Sequence, residues 1–448
     1  MNPAERDASL RHSMKDGFAW AVMNGAGERY IHPFAIMEGS GFVGLAAISQ
    51  LPAFAGAMVQ CLSANFVDVV GRRKRLFVSA AAVQAVMWIP ACAGVFLPSN
   101  QAVGLMTAAY ILILSLQNLA APPWSSVMGD LVPAERRGRY FGLRNLVVGV
   151  GICGSFLLGG WLLKVSQESP EPALLGLTGH ARAYFLLFAA AAVARLISAW
   201  HLARMHEPEY VRQASDRFSL LEFLRRAPKG NFGRFVFYVG LLHLGVGIAG
   251  PFFSWYALKA LGFDPAEFSI SWTLHLIAFF GSQHLWGHLA DRIGNKPLIA
   301  LGGVGISLIP YLWIASGDFV WLLFVQVYDG VVWGAFTIAA SNYLYDCVTS
   351  PKRARCGAYQ SLIVAGCGLV GSAIGASLGL SLAESGTFLG VAYDHPFKPM
   401  MAVSGVFRFL PALLLLGSFR EVRVGGKAAL EEFAGAGNSL PLLKRWWR

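Results

Sequence analysis

Glu28, Arg29 and His32 fall in one short stretch of otherwise apolar sequence. On helical backbone Glu28 and His32, four residues apart, share a face with Arg29 beside them. An acid, a cation and an imidazole grouped this way could hold a charged solute or exchange a proton. Gln326, Asp329 and Trp333 follow i, i+3, i+7 spacing in a second apolar stretch, a polar and aromatic stripe on one helix face. Gln117, Asn118, His243 and His275 add single polar groups in further apolar stretches. An ionisable group inside a membrane helix costs roughly 2.5–3.5 kcal/mol on insertion scales, so it marks a functional site by default. The competing reading is a structural ion pair or interhelical hydrogen bond, and a lone histidine on an apolar helix is more often a packing residue.

Other chemistries lack their residues. No glycine loop precedes a Lys-Ser/Thr pair, and no Ser/His/Asp, His-Glu-x-x-His or nucleophile-elbow pattern occurs. Direct use of ATP and enzymatic catalysis are therefore not expected. Cys61, Cys92, Cys153, Cys347, Cys356 and Cys367 are scattered without metal-ligand spacing and read as packing residues, so no metal or cofactor is expected.

The elements that must position these groups follow from composition. Of 448 residues 55% are hydrophobic and 14% charged, with mean hydropathy +0.52, against about 25% charged in soluble domains. About 20 apolar residues at roughly 1.5 Å each cross a hydrocarbon core of about 30 Å. Twelve such spans are predicted, at 17–38, 42–67, 76–97, 102–128, 141–164, 182–204, 234–258, 267–288, 297–315, 319–345, 357–383 and 398–418. The first is interrupted by Glu28, Arg29 and His32. Residues 1–16 are polar and lack the apolar core of a secretory signal, so both termini are expected in the cytoplasm. With that orientation 29 of the 36 Lys and Arg are cytoplasmic; Lys164, Arg182, Lys259 and Lys398 face the other side, and Arg29, Arg195 and Arg408 lie within spans. This positive-inside bias accounts for the net charge of +11. The expected partner is thus a bilayer, with no nucleic acid.

The chain also repeats itself. Ala64-Asn-Phe-Val-Asp68-Val-Val-Gly71-Arg72-Arg73-Lys74 and Gly287-His-Leu-Ala-Asp291-Arg292-Ile-Gly294-Asn295-Lys296 fit one pattern 223 residues apart. Asp130-Leu-Val-Pro133-Ala-Glu-Arg-Arg137 pairs with Asp346-Cys-Val-Thr-Ser-Pro351-Lys-Arg353. Arg195 and Arg408 sit at like depth in the sixth and twelfth spans, and their symmetry points to structural roles. These equivalences predict duplication of a six-helix unit around a midplane site. The domains are then 1–204, a cytoplasmic linker 205–233, 234–418 and a tail 419–448. The segment from Pro208 to Asn231, with Phe218, Leu220, Leu221, Phe223 and Leu224 beside Arg225 and Arg226, reads as a short amphipathic helix or a plain linker, and Leu442 to Arg448 as an interfacial anchor. Glycines at 371, 375 and 379, and at 142, 149, 154 and 160, suggest close helix packing.

On the two signature loops, the whole chain resembles the major facilitator superfamily. The passage from Pro122-Pro123-Trp124-Ser125 through Arg137-Gly138-Arg139-Tyr140 is similar to a bacterial branch of it. The resemblance implies an all-α membrane protein of two pseudo-symmetric six-helix bundles, a secondary transporter that moves a small solute across a bacterial inner membrane by alternating access. Proton coupling and function as a single chain are further expectations. It places the first, fourth, seventh and tenth spans around the cavity, hence Glu28, Arg29, His32, Gln117, Asn118, His243, Gln326, Asp329 and Trp333. It assigns gating to Asp68, Arg72, Arg73, Asp130 and Arg137 in one half, and to Asp291, Arg292 and Lys296 in the other. The fourth span lacks the arginine of proton-coupled drug exporters between Leu105 and Asn118, and Gly154-Ser155 replaces their Gly-Pro pair. The alternative function is a non-transporting binding or assembly protein on the same scaffold.

Overall fold

A computed structural model describes residues 3–133, 136–168, 175–177, 179–208 and 218–423. Residues 209–217 of the expected linker and 424–448 of the tail, with its aromatic-cationic end, lie outside the described set, as do the side chains of Ala64 and Asp68.

The chain forms two compact units, Met1–Arg212 with Phe253–Thr273, and Gln213–Phe252 with Leu274–Arg448. In the first, α1 (Pro3–Met23) runs through a π-helical turn, Asn24–Glu28, into α2 (Arg29–Met37). There follow α3 (Phe42–Val70), α4 (Arg73–Val86) with α5 (Trp88–Gly94), α6 (Ser99–Leu131), α7 (Arg137–Glu168) and α8 (Gly179–Ala203). In the second, α9 (Leu220–Arg226) precedes α10 (Asn231–Ala249). The chain then contributes α11 (Phe253–Trp255), a π turn at Tyr256–Ala260 and the start of α12 (Pro265–Ile293) to the first unit. The second unit resumes with the rest of α12, α13 (Asn295–Ala315), α14 (Phe319–Cys347), α15 (Ser350–Ser385) and α16 (Phe397–Leu415). A two-residue antiparallel ladder, β1 (Thr387–Phe388) with β2 (Val391–Ala392), lies between α15 and α16.

Ten described helices are long and apolar enough to cross a membrane. All twelve expected spans fall on helical backbone, but the first and eighth are not among those ten. Polar groups are the reason: Asn24, Glu28, Arg29 and His32 in one, and His275, Gln283, His284 and His288 in the other. A second difference concerns residues 3–16, expected as a polar tail. They are helical, because Ser9, Ser13 and Asp16 form a buried polar face.

Helix ends follow local chemistry. Ser219 Oγ accepts from Glu222 N and starts α9, as Asp318 does for α14 through Trp321 N. Gly71 ends α3 at φ 73°, a left-handed conformation that glycine adopts without penalty.

Aromatic rings fill both cores. Trp88, Phe188, Tyr184 and Phe34 pack together in the first unit, and Phe235, Tyr238, Tyr343 and Phe419 in the second. The expected glycine seam exists on α15, where a Cβ at Gly371 or Gly375 would lie 2.0 Å from a carbonyl oxygen of α10. Along α7 it is partial: Gly142 and Gly154 face open space, while a Cβ at Gly151 would lie 2.8 Å from the Cβ of Ala21 and one at Gly160 2.7 Å from Pro265 O. Close by, Lys164 Nζ donates to Asp264 Oδ2 at 2.9 Å. Burial alone would raise the Asp264 carboxyl, but the bonds from Glu267 N and Lys164 outweigh it and hold it below the usual carboxylate range.

Candidate functional site

The interruption in the first span is the feature that builds its site. A π turn opens the helix by one residue, an arrangement found frequently at functional sites, and here it carries Asn24 and Glu28. Asn24 Nδ2 donates to Glu28 Oε2 at 2.8 Å, whereas Glu28 Oε1 is buried with no hydrogen-bond partner. Among the described residues no hydrogen bond joins Glu28 to His32, so the i, i+4 pairing is replaced by a bond to the preceding turn. Arg29 lies within electrostatic reach of Glu28, Tyr110 and Cys153.

Behind Glu28 runs a polar chain that the sequence does not advertise. Arg195 Nε donates to Gln84 Oε1 at 2.6 Å, and its Nη1 donates to Ser198 Oγ at 2.6 Å. Ser198 Oγ in turn donates to Asp16 Oδ1 at 2.6 Å, and Arg144 Nη2 lies 3.4 Å from Asp16 Oδ2. Gln84 Nε2 continues to Gln117 Oε1 at 3.3 Å. Of the expected pair on α6, Gln117 therefore joins the network, while Asn118 bonds back to Leu114 O and packs on Gly56. Arg195 is the hub, satisfied on two sides, which offsets the cost of its burial.

In the second unit, His275 Nδ1 stands 3.0 Å from Asp329 Oδ2, off the line of a hydrogen bond. Asp329 Oδ1 and Gln326 Nε2 are both buried without partners. His243 Nδ1 is 2.9 Å from Val239 O, and its ring lies 5.7 Å from that of Trp333. Arg408 mirrors Arg195: Nε donates to Ser404 Oγ at 3.0 Å, Nη1 to Ile306 O at 3.3 Å, and its charge feels Asp329.

The signature loops are tied down differently in the two units. Arg73, 2% exposed, donates to Asp130 Oδ2 at 2.6 Å, Ser126 Oγ at 2.8 Å and Pro208 O at 3.2 Å. Glu207 Oε1 accepts from Lys74 N at 3.1 Å. Arg72 is exposed, and Arg137 donates to Gly129 O and Val132 O at the end of α6. In the second unit Asp291 pairs with Arg423 at 2.5 Å, and Arg423 also reaches Asp346 at 3.3 Å. Asn295 Nδ2 donates to Asp346 at 2.6 Å, and Glu421 Oε2 accepts from Lys296 N at 2.7 Å. Burial would lower the Arg423 guanidinium, but Asp291, Asp346 and Glu421 together push it up. Lys296 Nζ is buried without a hydrogen bond and Arg292 is exposed. The cation paired with the loop carboxylate Asp291 in this half is thus Arg423, from beyond α16, and neither Arg292 nor Lys296 of the loop itself.

The sequence model of the Major Facilitator Superfamily matches residues 34–241 and again 235–445. The chain belongs to the Major Facilitator Superfamily. Among curated proteins, this superfamily member is 24% identical over 200 residues to the quinolone resistance protein NorA of Staphylococcus aureus. That match covers 44% of this chain and 47% of NorA, so the chain spans about half the length of its curated relatives. A mutant form of the nucleoside transporter NupG superposes with a TM-score of 0.68 at 14% identity, covering 92% of this chain and all of that one. A D-xylose-proton symporter gives 0.66 at 14%, covering 93% and 98%. At such identities the structures share the fold alone. As a superfamily member with ten long apolar helices among the described residues, the chain is a multi-pass membrane protein.

Sequence reasoning missed Asn24, Asp16, Gln84 and Ser198 in the first unit, and Glu421 and Arg423 in the second. The paired arginines of the sixth and twelfth spans, Arg195 and Arg408, were the available signal for the first network. The acidic residues that follow α8 and α16, Glu207 and Glu421, were the signal for the second.

Proposed function

We propose that this chain is a secondary transporter that moves a small solute across the bacterial inner membrane by alternating access, with twelve spans, both termini cytoplasmic and one chain sufficient. Its halves are 1–204 and 234–418, joined by 205–233 and followed by the tail 419–448. The single observation that carries this reading is the pair of half-satisfied carboxylates. Glu28 Oε1 and Asp329 Oδ1 are buried without partners, one in each compact unit. A purely structural carboxylate in an apolar helix would have its acceptors filled; a vacant one suits a ligand donor or a proton that comes and goes. On this reading Glu28, Arg29 and His32, with Asp329 and His275, bind solute or couple it to protons. Gln117, His243, Gln326 and Trp333 shape their surroundings, and the loop groups from Asp68 and Arg73 to Asp291 and Lys296 govern the exchange of states.

Purified protein in liposomes with an imposed pH gradient tests this. The solutes offered would include nucleosides, xylose and quinolones, which the relatives' names suggest, with amino acids and organic anions. Glu28→Gln and Asp329→Asn are each expected to cut gradient-driven flux at least about tenfold, the loss of one transition-state interaction worth ~1.4 kcal/mol, with expression retained. Undiminished flux in both variants would remove these carboxylates from the mechanism, and no flux of any solute by folded protein would remove transport.

A further inference from the structure

The first unit carries two adjoining concavities with opposite chemistry. One, of about 740 Å³, is lined by Arg72 and Lys74 before and within α4, Arg204 and His206 after α8, and His12 on α1. Glu5 and Glu207 also line it, and one carboxylate oxygen of Glu207 is already taken by Lys74 N. The other, of about 530 Å³, is a groove between α1, α7 and α8, walled by Phe18, Val22, Val147 and Ile197. Among the described residues its only charged or titratable lining groups are Lys15 and His201. The two meet at a pair of imidazoles, His12 Nδ1 and His201 Nδ1, 3.0 Å apart. Beside them Trp200 is 49% exposed, and the Arg204 guanidinium lies 3.7 Å above its ring.

We propose that these concavities form one binding site for an acidic phospholipid, its phosphate held in the basic pocket and the upper part of an acyl chain in the apolar groove. Charge complementarity selects the headgroup: three cations against two carboxylates line the pocket, and Lys15, standing at the groove, adds a further positive charge. The chemistry of the groove selects a lipid over a free anion, because a soluble phosphate has no use for a wall of Phe18, Val22 and Ile197. From Lys15 to Val22 the groove follows α1 for about 10 Å, two-thirds of the ~15 Å depth of one leaflet. Trp200 capped by Arg204 is the aromatic-cationic pair that settles at a membrane interface. His12 reports the field in the pocket: burial first, then Arg204, Lys15 and Arg11, hold its imidazole below the usual histidine range. Assignment to the cytoplasmic leaflet rests on the orientation proposed above, but binding does not.

Native mass spectrometry of the detergent-purified full chain tests the proposal, with phosphatidylglycerol and phosphatidylcholine of identical acyl chains as probes. Phosphatidylglycerol adducts are expected at about tenfold lower lipid concentration, since each interfacial cation is worth about fivefold. Lys15→Gln with Arg204→Gln should bring the preference to about twofold or less, and Ile197→Trp, which fills the groove, should weaken phosphatidylglycerol without touching the cations. Each variant is first checked for an unchanged, monodisperse chromatographic profile, and Lys15→Gln alone, expected to halve the preference or more, stands in if the double variant does not fold. Equal binding of the two lipids, or a preference that survives loss of the cations, overturns the site. Displacement of phosphatidylglycerol by glycerol phosphate at comparable concentration, with Ile197→Trp silent, overturns the lipid in favour of a free phosphate.

Discussion

The two signature loops share an architecture and differ in where its cation resides. In both, a carboxylate from the segment after the last helix of the repeat accepts the second N–H of the following long helix: Glu207 from Lys74 N on α4, Glu421 from Lys296 N on α13. A negative charge there completes free N–H groups and meets the positive end of the helix dipole. In the first unit Arg73 then reaches Asp130 from the helix itself. Its positional equivalent Lys296 does not reach Asp346; its ammonium is buried, unbonded and 5.6 Å from the centre of the Phe419 ring. Arg423 and Asn295 serve Asp346 instead. Lysine offers a compact charge without the planar fork that spans three acceptors, so the second loop borrows its fork from the segment that follows α16. Equal motifs thus conceal unequal wiring.

The sharpest way to break this comparison is to replace both buried cations by methionine. Arg73→Met strands Ser126, Pro208 O and the partly exposed Asp130, and is expected to cost about 2–3 kcal/mol, less than for a fully buried pair. Lys296→Met removes a buried charge that bonds to nothing, and is expected to stay within about 1 kcal/mol of wild type or to stabilise. Denaturation of the detergent-purified protein followed by tryptophan fluorescence compares the two. Equal losses would show that Lys296 has a partner equivalent to that of Arg73.

A smaller difference is expected at the carboxylates. Glu421, 6% exposed, also accepts from Val422 N and Arg423 N, so three N–H groups lose an anionic acceptor in Glu421→Gln. Its cost should be about 1–2 kcal/mol, against about 0.5–1 kcal/mol for the half-buried Glu207→Gln. If Glu207→Gln proves the more damaging in the same unfolding assay, the first loop depends on its tail as much as the second.

These contrasts explain what could be read in the sequence. Span positions were legible because hydrocarbon demands long apolar runs, and the loops because Gly71 and Gly294, at φ 73° and 90°, admit little else. The π turn was not legible: Asn24 to Glu28 suits an ordinary helix as well, and only packing decides that the turn widens. Nor was the Asp16–Ser198–Arg195 network, whose members lie up to 182 residues apart. Asp16 sits in a segment whose polarity suggests a solvated tail, although its carboxylate is buried. Arg423 was hidden similarly, since a charged stretch beyond the last apolar run gives no local sign that it folds back onto Asp291. Glu28 and Asp329 could be singled out from burial cost alone; Asn24 and His275 as their neighbours required three dimensions.

The smallest difference between the halves should appear where their wiring is the same. Arg137 donates to Gly129 O and Val132 O, at 2.8 and 3.2 Å; Arg353 donates to Tyr345 O and Val348 O, at 3.1 and 2.9 Å. Donors and acceptors alike are 216 residues apart, and each arginine closes the free carbonyls at a helix end where a cation also complements the dipole. Arg137→Ala and Arg353→Ala should therefore each cost about 0.5–1 kcal/mol, the range for one exposed charged cap, and agree within the error of the unfolding measurement. Agreement would assign the asymmetry of the signature loops to the exchange of Arg73 for Lys296 and Arg423. A loss at Arg137 several times that at Arg353 would instead mean that the whole first unit leans harder on its loop charges, and the local account of Lys296 would fail with it.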